Sequence, residues 1–154
     1  MTPRPILLTI CAAALGGLGA CGDAGAPPAF LQVPGGDPER GRSLIYGYGC
    51  GTCHVIEGVR GARGTVGPPL VDYAERRLLA GVLPNAPRYL VPWLMDPPAL
   101  DPQTGMPALG LTEPEARHIA AYLYTLGASR AQVYPNPPAL ELRGRGAPGA
   151  QAEE

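Results

Sequence analysis

The chain of 154 residues contains no lysine, and its 12 arginines nearly balance 13 acidic residues. A net charge this close to zero gives no indication of nucleic-acid binding, and it predicts little charge steering toward partners. Glycine and proline number 22 and 20, together 42, which excludes long regular elements over much of the chain. No internal repeat is present, so one small domain with long loops is expected.

The apolar run at residues 6–20 follows a short charged start containing Arg4. It is too short to span a bilayer comfortably, so we predict that residues 1–20 are a cleaved secretory signal peptide. The run ends in Leu18-Gly19-Ala20-Cys21, which resembles a bacterial lipobox. A lipid on Cys21 would explain an unpaired thiol in an oxidising compartment. The alternatives are a soluble exported protein cut near Ala20 and an uncleaved anchor.

We therefore predict a lipidated cysteine and flexible linker over residues 21–36, because glycine, alanine and proline dominate there. The protein would be exported. It would lie on the periplasmic side of a bacterial inner membrane or at the cell surface, held by the lipid on Cys21.

The motif Cys50-Gly51-Thr52-Cys53-His54 indicates the chemistry of the chain. Two thiols at this spacing can form thioether bonds to one haem, while the following imidazole ligates its iron. A zinc site would need a second ligand pair, but Cys11 and Cys21 lie far upstream. A thioredoxin-type dithiol would follow a strand and precede a long helix, whereas this motif leads into a glycine-rich segment. We predict one covalently bound haem c.

Two strong helix signals flank this motif. Asp37-Pro38-Glu39 begins a helix that runs toward Gly47, and Gly41 inside it indicates that another helix approaches closely. Thr112-Glu113-Pro114-Glu115 is a capping box that begins a helix closed by Gly127. An incidental glycine in a glycine-rich chain is the alternative for Gly41.

Weaker helical patterns cover residues 72–81 and 85–94. Asn85 is the expected cap of the second, and Pro92 removes one hydrogen bond inside it. Residues 128–154 have no sustained period and are predicted to be a disordered tail.

The order of these motifs resembles that of the class I c-type cytochromes over residues 37–127. In that family a loop after CxxCH ends in Gly-Pro-x-Leu, here Gly67-Pro68-Pro69-Leu70. The resemblance implies that the Pro68 carbonyl accepts a hydrogen bond from the haem histidine and that Leu70 packs on the haem face. It also implies an all-α class, the small cytochrome c fold, with four short helices and long loops around the haem.

The resemblance further implies two contacts to the haem propionates. Arg76 has the best spacing to Gly81 for one contact, and Arg77 is its alternative; either could instead be a solvated helix arginine. Trp93, the only tryptophan, would direct its indole N–H to a propionate, with plain core packing as the alternative.

Met106, before a proline in a loop, resembles the distal ligand segment of the family and is the predicted sixth ligand. Met95 is the other internal candidate, and the absence of a methionine ligand is a third possibility. Iron held by His54 and Met106 has no vacant position, which predicts electron transfer in an exported respiratory chain and no enzymatic activity.

The expected partners are redox proteins such as a respiratory oxidase or dehydrogenase. One alternative function is a haem peroxidase or gas-binding domain with an open sixth position, and another is a redox-sensing or assembly module.

Overall fold

A computed structural model describes residues 26–131, which contain four α-helices and one two-stranded antiparallel hairpin. The helices are α1 (Pro38–Gly47), α2 (Pro87–Met95), α3 (Pro97–Leu100) and α4 (Glu113–Leu123). The hairpin pairs β1 (Leu78–Leu79) with β2 (Leu83–Pro84), with Leu78 opposite Pro84. Single 3₁₀ turns lie at Ala29–Leu31, Cys50–Thr52, Tyr73–Glu75 and Ala128–Arg130. Across residues 26–131 we find no helix with the length and apolar character needed to cross a membrane.

The two strongly signalled helices are present as α1 and α4, although α4 ends at Leu123, before its predicted end at Gly127. The Asp37 carboxylate accepts hydrogen bonds from the N–H groups of Glu39 and Arg40, at 2.9 and 3.2 Å. At the start of α4, the hydroxyl and the backbone N–H of Thr112 both donate to Oε2 of Glu115, at 2.6 and 2.9 Å. These bonds satisfy groups that a helix end leaves without intrahelical partners.

Helices α1 and α4 cross at Gly41, as predicted. A Cβ atom added at Gly41 would overlap the carbonyl oxygen of His118 and lie 3.0 Å from Cβ of Tyr122. The start of α1 is tied to the same helix, because the Asp37 N–H donates to Nδ1 of His118 at 2.9 Å. The absence of a side chain at Gly41 therefore allows the two backbones to approach.

The packed chain begins earlier than the sequence predicted. Within the proposed linker 21–36, Leu31 is 1% exposed and Val33 is 9% exposed, and both belong to the apolar core. The prediction of a flexible linker is wrong for this part because two branched apolar side chains gain more by burial than by remaining in water. The predicted signal peptide 1–20 and Cys21 lie outside the described residues.

The packed chain also ends later than predicted. Ala128 is buried, and Arg130 pairs with the carboxylates of Asp72 and Glu75. The prediction of a disordered tail over residues 128–154 is therefore wrong for Ala128 and Arg130. Residues 132–154 lie outside the described part of the chain.

The helix predicted over residues 72–81 is absent. Asp72 and Ala80 have φ angles of 50° and 51°, in the left-handed region, which cannot continue a right-handed helix. Between them lie one 3₁₀ turn and β1, so the all-α prediction overlooked the hairpin.

The helix predicted over residues 85–94 is present as α2 but begins later. Pro87 stands in its first turn, after Ala86, whose side chain makes no capping hydrogen bond. Asn85 is not its cap, because its side-chain amide bonds the carbonyls of Tyr73 and Arg76. Pro92 lies within α2, as expected.

Candidate functional site

A cavity of about 600 Å³ lies beside α2 and α4. This volume falls within the range of roughly 300–1,000 Å³ that small-molecule and cofactor sites occupy. Most of its wall is apolar, and the apolar side chains from the helices are Ile45, Leu90, Trp93, Leu94, Ile119 and Leu123. The polar or chemically reactive side chains on the wall are Cys50, Cys53, His54, Tyr73, Arg76, Asp101, Thr104 and Met106.

The cysteine motif forms one edge of the cavity. Cys50 and Cys53 are half-buried free thiols, and the intervening residues form a 3₁₀ turn in which the His54 N–H donates to the Cys50 carbonyl at 3.0 Å. Burial raises the pKa of the Cys50 thiol. A redox dithiol depends on a lowered thiol pKa, so the environment of Cys50 does not favour that alternative.

The ring of His54 is held in one orientation. Its Nδ1 atom lies 2.7 Å from the carbonyl oxygen of Pro68. Because a carbonyl can only accept, Nδ1 carries the proton, and Nε2 keeps the lone pair that could bind a metal. The structure thus brings together His54 and Pro68, and Leu70 lies on the same cavity wall.

The glycine-rich loop after the motif wraps closely around it. A Cβ atom at Gly67 would overlap Cε1 of the His54 ring. The Gly67 N–H donates to the Cys53 carbonyl at 2.8 Å, and the Gly64 N–H donates to the Gly51 carbonyl at 3.0 Å. The sequence predicted Gly67 as part of the Gly-Pro-x-Leu motif and Gly64 only as a loop residue, and it did not predict the close contacts of either with the cysteine motif.

Met106 lies on the cavity wall, whereas Met95, also among the described residues, does not. The loop before Met106 is shaped by its own polar groups. The Met106 N–H donates to Oγ1 of Thr104 at 3.2 Å, and the Gln103 N–H donates to Oδ1 of Asp101 at 3.0 Å. Side-chain bonds of this kind stabilise turns without secondary structure.

Arg76 lines the cavity and Arg77 does not. The Arg76 guanidinium lies 5.3 Å from the centre of the Tyr73 ring and donates to the Pro69 carbonyl. Trp93 is buried in the same wall. Of the two arginines left open by the sequence, the structure therefore places only Arg76 beside the cavity.

Tyr73 is a cavity residue that sequence reasoning missed. Its side chain is 3% exposed, and its buried hydroxyl has no hydrogen-bond partner among residues 26–131. Burial raises the pKa of this phenol. Leaving such a group unsatisfied costs about 1–3 kcal/mol, so a polar partner at this site would be favourable. The sequence offered no specific signal for it, since tyrosine in a helical pattern is ordinary core material.

The described part of the chain holds no group of three or more histidine, cysteine, aspartate or glutamate side chains arranged to bind a metal ion. The cavity wall instead offers two donors of different kinds, the thioether sulfur of Met106 and the imidazole of His54.

The chain is similar to cytochrome c oxidase subunit 2 of Alkalihalophilus pseudofirmus, with 32% identity over 89 residues. The matched region is 57% of this chain and 25% of that protein, so the chain spans about a quarter of the length of the relative. No protein-family model matches the chain. No solved structure matches it either.

This similarity corrects one prediction from the sequence. The chain was expected to be an electron carrier with no enzymatic activity, but the protein it resembles is a subunit of an oxidase. The reasoning from a closed iron site considered only the domain by itself. A domain without a substrate position can still belong to an enzyme when the substrate site is on another part of the assembly.

Proposed function

We propose that the chain holds one covalent haem c in the 600 Å³ cavity and passes electrons through it in an oxidase-type respiratory system. The observation that carries this proposal is the position of Cys50, Cys53, His54 and Met106 on the wall of one apolar cavity. The thiols would form the two thioether bonds, and His54 and Met106 would ligate the iron.

The character of the cavity fits this group. Apolar side chains from three helices suit a large macrocycle, and the wall also carries the guanidinium of Arg76 and the hydroxyl of Tyr73, which a haem could use. The Arg76 guanidinium could balance a propionate charge, and the Trp93 indole could donate to one. The Tyr73 hydroxyl marks a place where residues 26–131 leave a buried polar group without a partner.

When bound, haem supplies a one-electron iron couple, and the residues of this chain set its surroundings. The Pro68 carbonyl fixes the His54 ring through the proton on Nδ1, which strengthens donation from Nε2. Met106 would provide a soft, neutral thioether that favours ferrous iron. Leu70 and the helix side chains on the cavity wall would keep water away from the iron, which would limit the reorganisation that accompanies a change of charge.

The similarity to an oxidase subunit supports a role beside or within a terminal oxidase, with redox proteins as partners. A lipid on Cys21 would hold the domain at the outer side of the inner membrane or at the cell surface. We propose the small cytochrome c fold for this domain, with α1 and α4 as its crossing terminal helices.

The experiment compares the exported holoprotein with a variant that carries Cys50→Ser and Cys53→Ser. Haem should migrate with the wild-type chain on a denaturing gel and be absent from the variant. Cys21→Ser is the matched control, because it removes a thiol outside the motif; its haem should remain, while the protein moves from membrane to soluble fraction. Haem retained by the double variant would refute the attachment site, and membrane retention of Cys21→Ser would refute the lipid anchor.

A further inference from the structure

Asn85 joins α4 to the segment that carries Arg76. Its side-chain Nδ2 donates to the carbonyls of Tyr73 and Arg76, at 3.0 and 3.1 Å. Its Oδ1 accepts a hydrogen bond from the Tyr124 hydroxyl at 3.1 Å. Both amide protons and the amide oxygen therefore have partners, so the side chain is fixed in one orientation.

The segment held by Asn85 has little regular structure of its own. Residues 73–77 contain one 3₁₀ turn and then the extended residue Arg76, with φ −70° and ψ 139°. The backbone N–H of Asn85 adds a bond to the Arg77 carbonyl at 3.0 Å. Tyr73 and Arg76 line the cavity, whereas Asn85 and Tyr124, both described, do not.

The Arg76 side chain is placed mainly by where its backbone lies. It contacts the ring of Tyr73 and the carbonyl of Pro69, and the same Asn85 amide holds the carbonyl of Tyr73. A loss of the amide would therefore release both the backbone of Arg76 and the residue on which its guanidinium rests.

We propose that Asn85 is a positioning residue for the charge of Arg76 at the haem site. The proposal rests on the haem function proposed above and deepens it. A fixed positive charge beside the haem disfavours the ferric state, which carries one more positive charge, and so raises the reduction potential. Tyr124, whose hydroxyl orients the amide oxygen, would act through Asn85 from α4.

The test is a double-mutant cycle on the reduction potential of the holoprotein, with Asn85→Ala, Arg76→Gln and both together. Asn85→Ala should lower the potential. In the Arg76→Gln background, which has already lost the charge, Asn85→Ala should change the potential much less. The same downward shift in both backgrounds, or no shift in either, would overturn the proposal.

Two further variants separate positioning from loosening of the fold. Tyr124→Phe removes only the bond to Oδ1 of Asn85 and should lower the potential in the same direction by a smaller amount. If Asn85→Ala does not fold, Tyr124→Phe replaces it in the cycle. The matched control is Tyr122→Phe on α4, which loses a bond to the Glu57 carbonyl at 2.6 Å and should leave the potential unchanged. Equal shifts in the two Tyr→Phe variants would overturn the proposal.

Failure of this inference is distinguishable from failure of the proposed function. If the wild-type chain carries no covalent haem, the proposed function fails and Asn85 has no such role. If haem is attached but the potential does not respond as described, only the positioning role of Asn85 is refuted.

Discussion

The helical frame of α1 and α4 and the loop segments of the cavity wall are stabilised in different ways. In the frame, Asp37 and Thr112 form capping bonds with residues two or three positions away. In the wall, the Leu70 N–H donates to the carbonyl of Val55, and the side-chain amide of Asn85 donates to the carbonyl of Tyr73. The start of each frame helix follows from local chemistry, whereas the loop segments of the wall depend on distant parts of the chain.

The stability of the two regions should also depend to different degrees on a bound cofactor. Helices α1 and α4 meet directly at Gly41, but the wall surrounds a cavity of about 600 Å³. An interior of this size without a bound group would lose many van der Waals contacts, so the wall should depend on the cofactor more than the frame does. Variants in the frame and variants in the wall should therefore have different effects.

The largest effect should come from preventing haem attachment. The variant with Cys50→Ser and Cys53→Ser should lose most of its stability, because the cavity is left without the covalent group that would fill it. Thermal unfolding followed by circular dichroism measures this. An unchanged melting temperature and helix signal in the haem-free chain would show that the protein folds without the cofactor.

A smaller but clear effect should follow from Gly41→Ala. The new methyl group would overlap the His118 carbonyl and separate α1 from α4, at a cost of about 1–3 kcal/mol. Gly47→Ala on the same helix is the matched control, because its Cβ would meet open space and should be neutral or stabilise by up to about 1 kcal/mol. Denaturant midpoints compare the two, and equal values would contradict the close crossing. The potential should be unchanged in both variants.

Gly67→Ala should have its main effect on the site. The methyl group would overlap the His54 ring and disturb its bond to Pro68, so the optical spectrum and the potential should change. The loss of stability should be about 1–2 kcal/mol, since a loop can shift more easily than two packed helices. Gly47→Ala, where a Cβ would meet open space away from the cavity wall, is the control. A normal spectrum for Gly67→Ala would contradict the described position of the ring.

The smallest effect concerns acid stability of the frame. Hydrogen bonds from the Thr112 hydroxyl and backbone, and from the Tyr48 hydroxyl, hold the pKa of the Glu115 carboxyl below its ordinary value. Its stabilising contribution is therefore full above the unfolded value of about 4.3, and is lost as pH falls through the lower folded value.

Glu115→Gln should consequently be less stable than wild type at neutral pH, and the difference should shrink as the solution is acidified through that range. Unfolding midpoints at several pH values measure this. Glu113→Gln is the control, because it also removes a carboxylate from the first turn of α4 but breaks a different interaction, the ion pair with Arg117. A difference from wild type that is independent of pH would count against the role of the ionised Glu115.

The sequence sufficed where chemistry is local. The caps at Asp37 and Thr112 predicted both frame helices, and Gly41 predicted their crossing. The prediction from sequence failed between Asp72 and Asn85. The helical pattern there is interrupted by two residues whose φ angles lie in the left-handed region, and the Asn85 amide binds backbone carbonyls of the same segment.

The same distinction applies to the candidate site. The reactive residues could be named from motifs, as with Cys50, His54 and Met106. Tyr73 could not, because burial of a hydroxyl without a partner is a property of the assembled wall. The choice between Arg76 and Arg77 likewise depended on which side of an irregular segment faces the cavity.

The identity of the sixth ligand of the proposed haem iron tests the central claim most directly. Met106 lines the cavity and Met95 does not, so Met106→Ala and Met95→Ala form a matched pair. Optical titrations would measure the reduction potential and the binding of carbon monoxide or imidazole. We predict that Met106→Ala lowers the potential and binds these ligands readily, because the soft thioether is lost, while Met95→Ala behaves as wild type. The reverse pattern, or ready ligand binding by the wild-type protein, would contradict the account.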